Sequence, residues 1–208
     1  MSVHQLSIDP AHSTVGFAVT FATNAVVTGR FLDFGGQITL DTEQPERSSV
    51  TAWIDPASLT TDHEPRDEQL RGPDFFDVEE HAELRFESTG VTALADDHWR
   101  VTGNLTMRGQ TCGVTLDTRY YGIVEDAWGT LRAGFVAEAD IQRTDWGMTW
   151  NEPQESGSLL GDRVRITLYI SATVSDEMKD EPEEGESEEA GEREEPGNSG
   201  ESDDNSDE

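Results

Sequence analysis

The densest run of chemically able residues lies between Thr60 and Ser88, TTDHEPRDEQLRGPDFFDVEEHAELRFES. An Arg66-Asp67 pair leads to Leu70, then to Asp74-Phe75-Phe76-Asp77, then to a segment carrying Phe86. A second run, Arg143-Thr144-Asp145-Trp146-Gly147-Met148, again joins an arginine and an aspartate to an aromatic, with Trp150 close behind. Guanidinium groups hold carbonyl or phosphate oxygens through paired hydrogen bonds. Arg66, Asp67, Arg143 and Asp145 are therefore candidates for a polar head at a cavity rim, or for charges that tie loops to that rim. Aromatic pairs do no acid–base work, and what they offer a ligand is apolar area.

Other chemistries find little support. The histidines are His4, His12, His63, His81 and His98, and none stands at a His-x-His or His-x-x-x-His spacing. No metal site is expected from them. His12 and Ser13 are neighbours on an extended segment and point to opposite faces, so they make no dyad. Cys112 is the single cysteine, which rules out an intrachain disulfide and leaves it a bystander thiol. No phosphate-binding glycine loop, nucleophile elbow or catalytic carboxylate pair is present. No catalytic residue and no cofactor is assigned.

Composition narrows the classes further. The net charge is -30, from 44 acidic and 14 basic residues. All the basic residues except Lys179 are arginines. An acidic surface nearly free of lysine points to a proteome adapted to high salt, such as that of a halophilic archaeon, where counterions screen self-repulsion. The alternative is an acidic protein of ordinary salt. Such charge argues against nucleic acid as a partner, because phosphate contacts need clustered Lys and Arg. The start, MSVHQLSIDP, lacks a basic and then apolar leader, and no apolar run reaches membrane-spanning length. A cytoplasmic location without stable membrane insertion is the expectation.

The elements that position these residues follow from period-two alternation. Val15, Phe17, Val19 and Phe21 alternate with small or polar residues, as do Trp99, Val101, Leu105 and Met107. Leu131 to Ile141 and Val164 to Ala172 repeat the pattern. Weaker strands fit 29–40, 48–54, 83–91 and 114–121. About eight strands with one apolar face each predict an all-β, antiparallel barrel, closed so that no edge is left exposed. A two-sheet sandwich is the alternative. One short helix is predicted around Arg66 to Arg71, ended by Gly72-Pro73. The domain is placed at 1–174. Residues 175–208 are acidic and lack aromatics, so they are expected to form a disordered tail.

The order of short motifs goes beyond a generic barrel. Ile8-Asp9, His12-Ser13, Val15-Gly16-Phe17, Gly29-Arg30-Phe31 and Phe34-Gly35-Gly36 come first. Trp53-Ile54-Asp55, Ser58-Leu59-Thr60-Thr61, Arg66-Asp67 and Asp74-Phe75-Phe76-Asp77 follow. Val101 to Gly109 and Arg143 to Met148 complete the series. In this order they resemble the YceI-like family of polyisoprenoid-binding, lipocalin-like barrels, from about Leu6 to Ala172. Glu68 departs from that pattern, where a His is common, and so does Ala82, where a Pro is usual.

The resemblance implies a narrow tunnel that takes up an isoprenoid lipid, such as a quinone tail or a polyprenyl chain, and often a homodimer. An isoprenoid offers only apolar surface, so its site needs an inward stripe of aliphatic and aromatic side chains. The candidate lining residues are Phe17, Val19, Phe21, Phe31, Phe75, Phe76, Phe86, Leu105, Met107, Trp146, Met148 and Trp150. A barrel also needs such residues simply to fill its core. Two other readings stand beside the carrier: a small redox or hydrolytic enzyme using the same cavity, and a stress-related protein acting through its surface.

Overall fold

In the computed structural model, residues 3–22, 24–151, 153–154 and 157–174 are described. The expected acidic tail, 175–208, lies outside them. The strands in chain order are β1 (Val3–Ile8), β2 (Thr14–Phe21), β3 (Ala25–Phe31), β4 (Phe34–Asp41), β5 (Ser49–Ile54) and β6 (Leu59–Thr60). Helix α1 (Glu64–Arg71) follows, then β7 (Leu84–Ala95), β8 (His98–Met107), β9 (Gln110–Glu125) and β10 (Leu131–Gln142). A small ribbon of β11 (Pro153–Gln154) and β12 (Gly157–Ser158) precedes β13 (Leu160–Val174).

The sheet closes. Its order runs β1, β4, β5, β7, β8, β9, β10, β13, and β13 returns to β1 through Leu6↔Val174 and Ile8↔Ala172. Every pairing is antiparallel. The result is an eight-strand barrel with one short helix, as the alternation predicts, and not a sandwich.

Three of the eight staves are broken in the middle. β1 and β2 lie along the same edge of β13, separated by a short 3-10 turn at Pro10–His12. β3 and β4 form the next stave, interrupted at Leu32-Asp33, and β5 and β6 the third, interrupted at Pro56–Ser58. The breaks are stitched by side chains. Asp9 accepts from Ala11 N at 3.0 Å, and Asp55 accepts from Ala57 N at 2.8 Å. Ser58 Oγ accepts from both Leu32 N and Asp33 N, tying the second break to the third. Bends of this kind let a twisted sheet close on itself.

Alternation does the rest. Along β8 the residues run buried at Trp99, Val101, Gly103, Leu105 and Met107, with more exposed residues between them. The β8–β9 hairpin turns through Arg108 and Gly109, both at positive φ (49° and 69°), which is the two-residue turn that matches sheet twist. Two apolar clusters fill the barrel: one around Phe31, Leu59, Leu105 and Trp146, toward α1, and one around Leu6, Leu40, Trp99 and Phe135, at the far end.

Candidate ligand-binding site

A cavity of about 330 Å³ runs through the barrel. It reaches from Arg66, Phe75, Phe76 and Trp150 near α1 to Leu40, Val91, Trp99 and Phe135 near the opposite end. The wall is almost wholly apolar, supplied by inward positions of nearly every stave. Ile166, Leu168 and Ile170 of β13, Val114 and Leu116 of β9 and Phe17 of β2 all belong to this wall. Lining residues meet solvent at Phe21 and Gln69 on the α1 side, and at Ser49 and Trp53 on β5.

The α1 side is roofed by the charged run that follows Thr60. His63 precedes the helix with extended backbone, and Pro65 sits in its first turn, where a missing N–H costs nothing. Asp67 is 2% exposed and points away from the cavity, into β6. It accepts from Thr61 N at 2.8 Å, from Thr61 Oγ1, and from Thr60 Oγ1 at 3.0 Å. Burial pushes its carboxyl upward, but those three hydrogen bonds and the charge of Arg71 outweigh it, so its pKa lies below the ordinary value. Arg71 donates to the carbonyls of Ala57 and Leu59. Arg66 lines the cavity and donates from Nε to Thr61 Oγ1 and from Nη2 to the Thr61 carbonyl.

Helix and strand are thus pinned together, and the pinning delivers the double aromatic. Phe76 meets Phe31 edge-on at 5.6 Å, and Phe31 meets Phe17 at the same separation. Phe75 packs on Trp150 at 5.4 Å. The roof is therefore aromatic on its inner surface and charged on its outer one.

Arg143 anchors the other side of the opening. It is 4% exposed, and all three of its guanidinium nitrogens donate hydrogen bonds. Nε donates to Gly161 O at 3.0 Å, Nη1 to the carbonyls of Met148 and Trp150, and Nη2 to Asp162 at 2.8 Å. Its role is to hold the Met148–Trp150 segment against β13. Arg66 and Asp67 bond to Thr60 and Thr61, and neither pairs with Arg143 or Asp145. Asp145 is exposed, with its backbone carbonyl toward Cys112.

Of the twelve candidate lining residues, eleven border the cavity and Trp146 does not. Trp146 is 1% exposed and its Nε1 donates to Leu105 O at 3.0 Å, so it wedges between the 3-10 turn after β10 and the wall of β8. Its tight turn ends at Gly147, at a φ of 74°, beyond which Met148 and Trp150 reach the cavity. Among the rim candidates, Arg66 and Arg143 border the cavity, and Asp67 and Asp145 do not. Among the described residues no cluster of His, Cys, Asp or Glu could hold a metal ion.

A family model for the YceI-like domain matches residues 6–172. The chain belongs to the YceI-like family. A UPF0312 protein of Serratia proteamaculans is 38% identical over 138 residues, covering 66% of this chain and 71% of that one. Protein YceI of Salmonella newport is 34% identical over 146 residues, covering 70% and 76%. Among solved structures, BcnA of Burkholderia cenocepacia aligns with a TM-score of 0.72 at 24% identity, over 80% of this chain and 99% of that one. A polyisoprenoid binding domain from Saccharophagus degradans aligns with a TM-score of 0.60 at 16% identity, over 84% and 100%.

Within this YceI-like barrel, sequence reasoning did not single out Trp99 and Thr118 as site residues. Both line the cavity at its far end. A signal was present: Thr118 stands in the inward register of Val114, Leu116 and Tyr120, a hydroxyl where alternation calls for an apolar side chain.

Proposed function

We propose that this protein binds an isoprenoid lipid of the quinone or polyprenyl type inside the barrel, and carries, stores or sequesters it without breaking a bond. One observation carries the reading: a cavity of about 330 Å³ whose wall is nearly all apolar, under an aromatic roof. Such a wall gives a hydrocarbon chain about 0.8 kcal/mol for each methylene removed from water, before the costs of ordering. The likeness to a domain described as polyisoprenoid binding supports the same class of ligand.

Catalysis is not needed for this role. Among the described residues, the two charged side chains that border the cavity, Arg66 and Arg143, are committed to Thr61 and to the carbonyls of Met148 and Trp150. The sparse lysine and the net charge of -30 support work at high salt.

The test is a titration with ubiquinones of increasing tail length, read by quenching of tryptophan fluorescence. Affinity is expected to climb with each added isoprene unit until the cavity is filled, then to level off. An affinity independent of tail length would contradict the reading.

A further inference from the structure

Two side chains that line the far end of the cavity each carry a polar atom that the fold leaves unsatisfied. Trp99 on β8 and Thr118 on β9 are direct cross-strand partners. They are 3% and 5% exposed, and both line the cavity. Among the described residues, Trp99 Nε1 and Thr118 Oγ1 are the two buried side-chain nitrogen or oxygen atoms without a hydrogen-bond partner. That both fall on one cross-strand pair, at one end of one cavity, calls for a cause.

A buried polar group without a partner costs about 1–3 kcal/mol. Buried indole N–H groups normally find an acceptor. Trp146 in the same barrel does so, on Leu105 O. Residues directly opposite in an antiparallel pair have Cβ atoms roughly 5 Å apart, so the two side chains are neighbours on the cavity wall. The indole is also held in place, because Trp99 stacks on Tyr120 at 4.8 Å and packs near Phe135.

The surroundings select the kind of oxygen. Leu40, Val91, Val101 and Phe135 complete this end of the cavity, and none carries charge. An ionised phosphate or carboxylate would be buried here with no counter-charge, at a cost that two neutral hydrogen bonds cannot offset. A neutral oxygen fits. Trp99 Nε1–H can only donate, while Thr118 Oγ1 can donate to a carbonyl or accept from a hydroxyl.

We propose that Trp99 and Thr118 form a polar subsite at the deep end of the cavity that takes a neutral carbonyl or hydroxyl oxygen of the ligand. The lipid then enters with its oxygen-bearing end first and leaves its tail under the α1 roof. This rests on the reading of the cavity as an isoprenoid site, and it assigns the orientation and head chemistry that reading leaves open.

The subsite is tested by competition between geranylgeraniol and the matching hydrocarbon without the hydroxyl. The two are offered together to purified protein, and the bound ratio is read by mass spectrometry of the extract. Thr118→Val keeps the side-chain shape and removes the hydroxyl, and Trp99→Phe removes the indole N–H. Each variant is expected to shift the bound ratio roughly three- to tenfold toward the hydrocarbon. Ligand-free Thr118→Val should also melt higher than the parent, since it no longer buries an unpaired hydroxyl. An unchanged ratio in both variants, with the parent still binding both lipids, would overturn the subsite alone; water would then satisfy the two groups, or the hydroxyl would stay at the roof. Failure of the parent to take up either lipid would overturn the isoprenoid reading together with it.

Discussion

The ring of Phe17 lies flat over Gly29. The two residues are register partners on β2 and β3, and a Cβ added at Gly29 would stand 2.3 Å from Phe17 Cζ. Phe86 covers Gly103 in the same way, at 2.4 Å. In both places a missing side chain lets an aromatic ring lie along the wall instead of projecting across the lumen. The cavity stays open because glycine occupies the strand where a β-branched residue would otherwise be favoured.

Gly29→Ala should therefore drive the Phe17 ring inward. The expected cost is about 1–3 kcal/mol in stability from overpacking, with a larger relative loss of isoprenoid affinity. Adding Phe17→Leu to Gly29→Ala should restore much of the stability. Denaturant melts and lipid titrations on the three proteins measure both effects.

Arg143 gives a second prediction. Arg143→Lys keeps the charge but cannot span the carbonyls of Met148, Trp150 and Gly161 together with Asp162. Carbonyls left without donors should cost about 2–3 kcal/mol. The Met148–Trp150 segment should loosen, and bound lipid should leave faster. Arg163→Lys, on the outer surface, should stay within about 0.5 kcal/mol of the parent. Dissociation rates and urea midpoints separate the two variants.

These assignments show how far the chain itself could be read. Strong alternation in β8, β10 and β13 made the barrel legible, because each of these strands buries one face only. β1 went unseen, since Val3–Ile8 offers just Leu6 and Ile8 as inward apolar residues, yet it closes the sheet between β4 and β13. The stretch 29–40 read as one strand because the break at Leu32-Asp33 is made by hydrogen bonds to Ser58, residues away in sequence. Phe75 and Phe76 were legible as apolar area. Arg66 and Arg143 were legible as important, but their partners, backbone carbonyls, carry no signature in residue type. Trp146 and Trp150 look alike in sequence, yet they lie on either side of the turn at Gly147, one in the core and the other at the cavity.

Acid should weaken the outer face of β10 and β13. Hydrogen bonds from Arg163 and then Arg165 hold the Asp140 carboxyl down at about 2, against an ordinary value of 3.8. A depressed carboxylate contributes stability that is fully present above the unfolded value and is lost as pH falls through the folded one. The contribution should thus be complete above about pH 4 and fade toward pH 2. Asp140 is partly exposed, so the effect is modest and screened by salt. Urea melts of the parent and Asp140→Asn should differ near neutral pH and converge as pH falls from about 4 toward 2.

Ionic strength supplies a further test. With a net charge of -30, self-repulsion should destabilise the barrel in dilute buffer. The melting temperature is expected to rise continuously as NaCl is raised from about 0.1 M, where the screening length is near 10 Å, to above 1 M. A flat or falling dependence would remove the case for salt adaptation.

The central claim is that the cavity holds an isoprenoid lipid, and its most direct test is chemical identification of what the protein carries. Protein purified in high salt, from its native host or from a quinone-rich one, is extracted with organic solvent, and the extract is analysed by mass spectrometry. The account predicts a polyisoprenoid at near one molecule per barrel. A clean extract, from a barrel that also ignores added quinone, would contradict it.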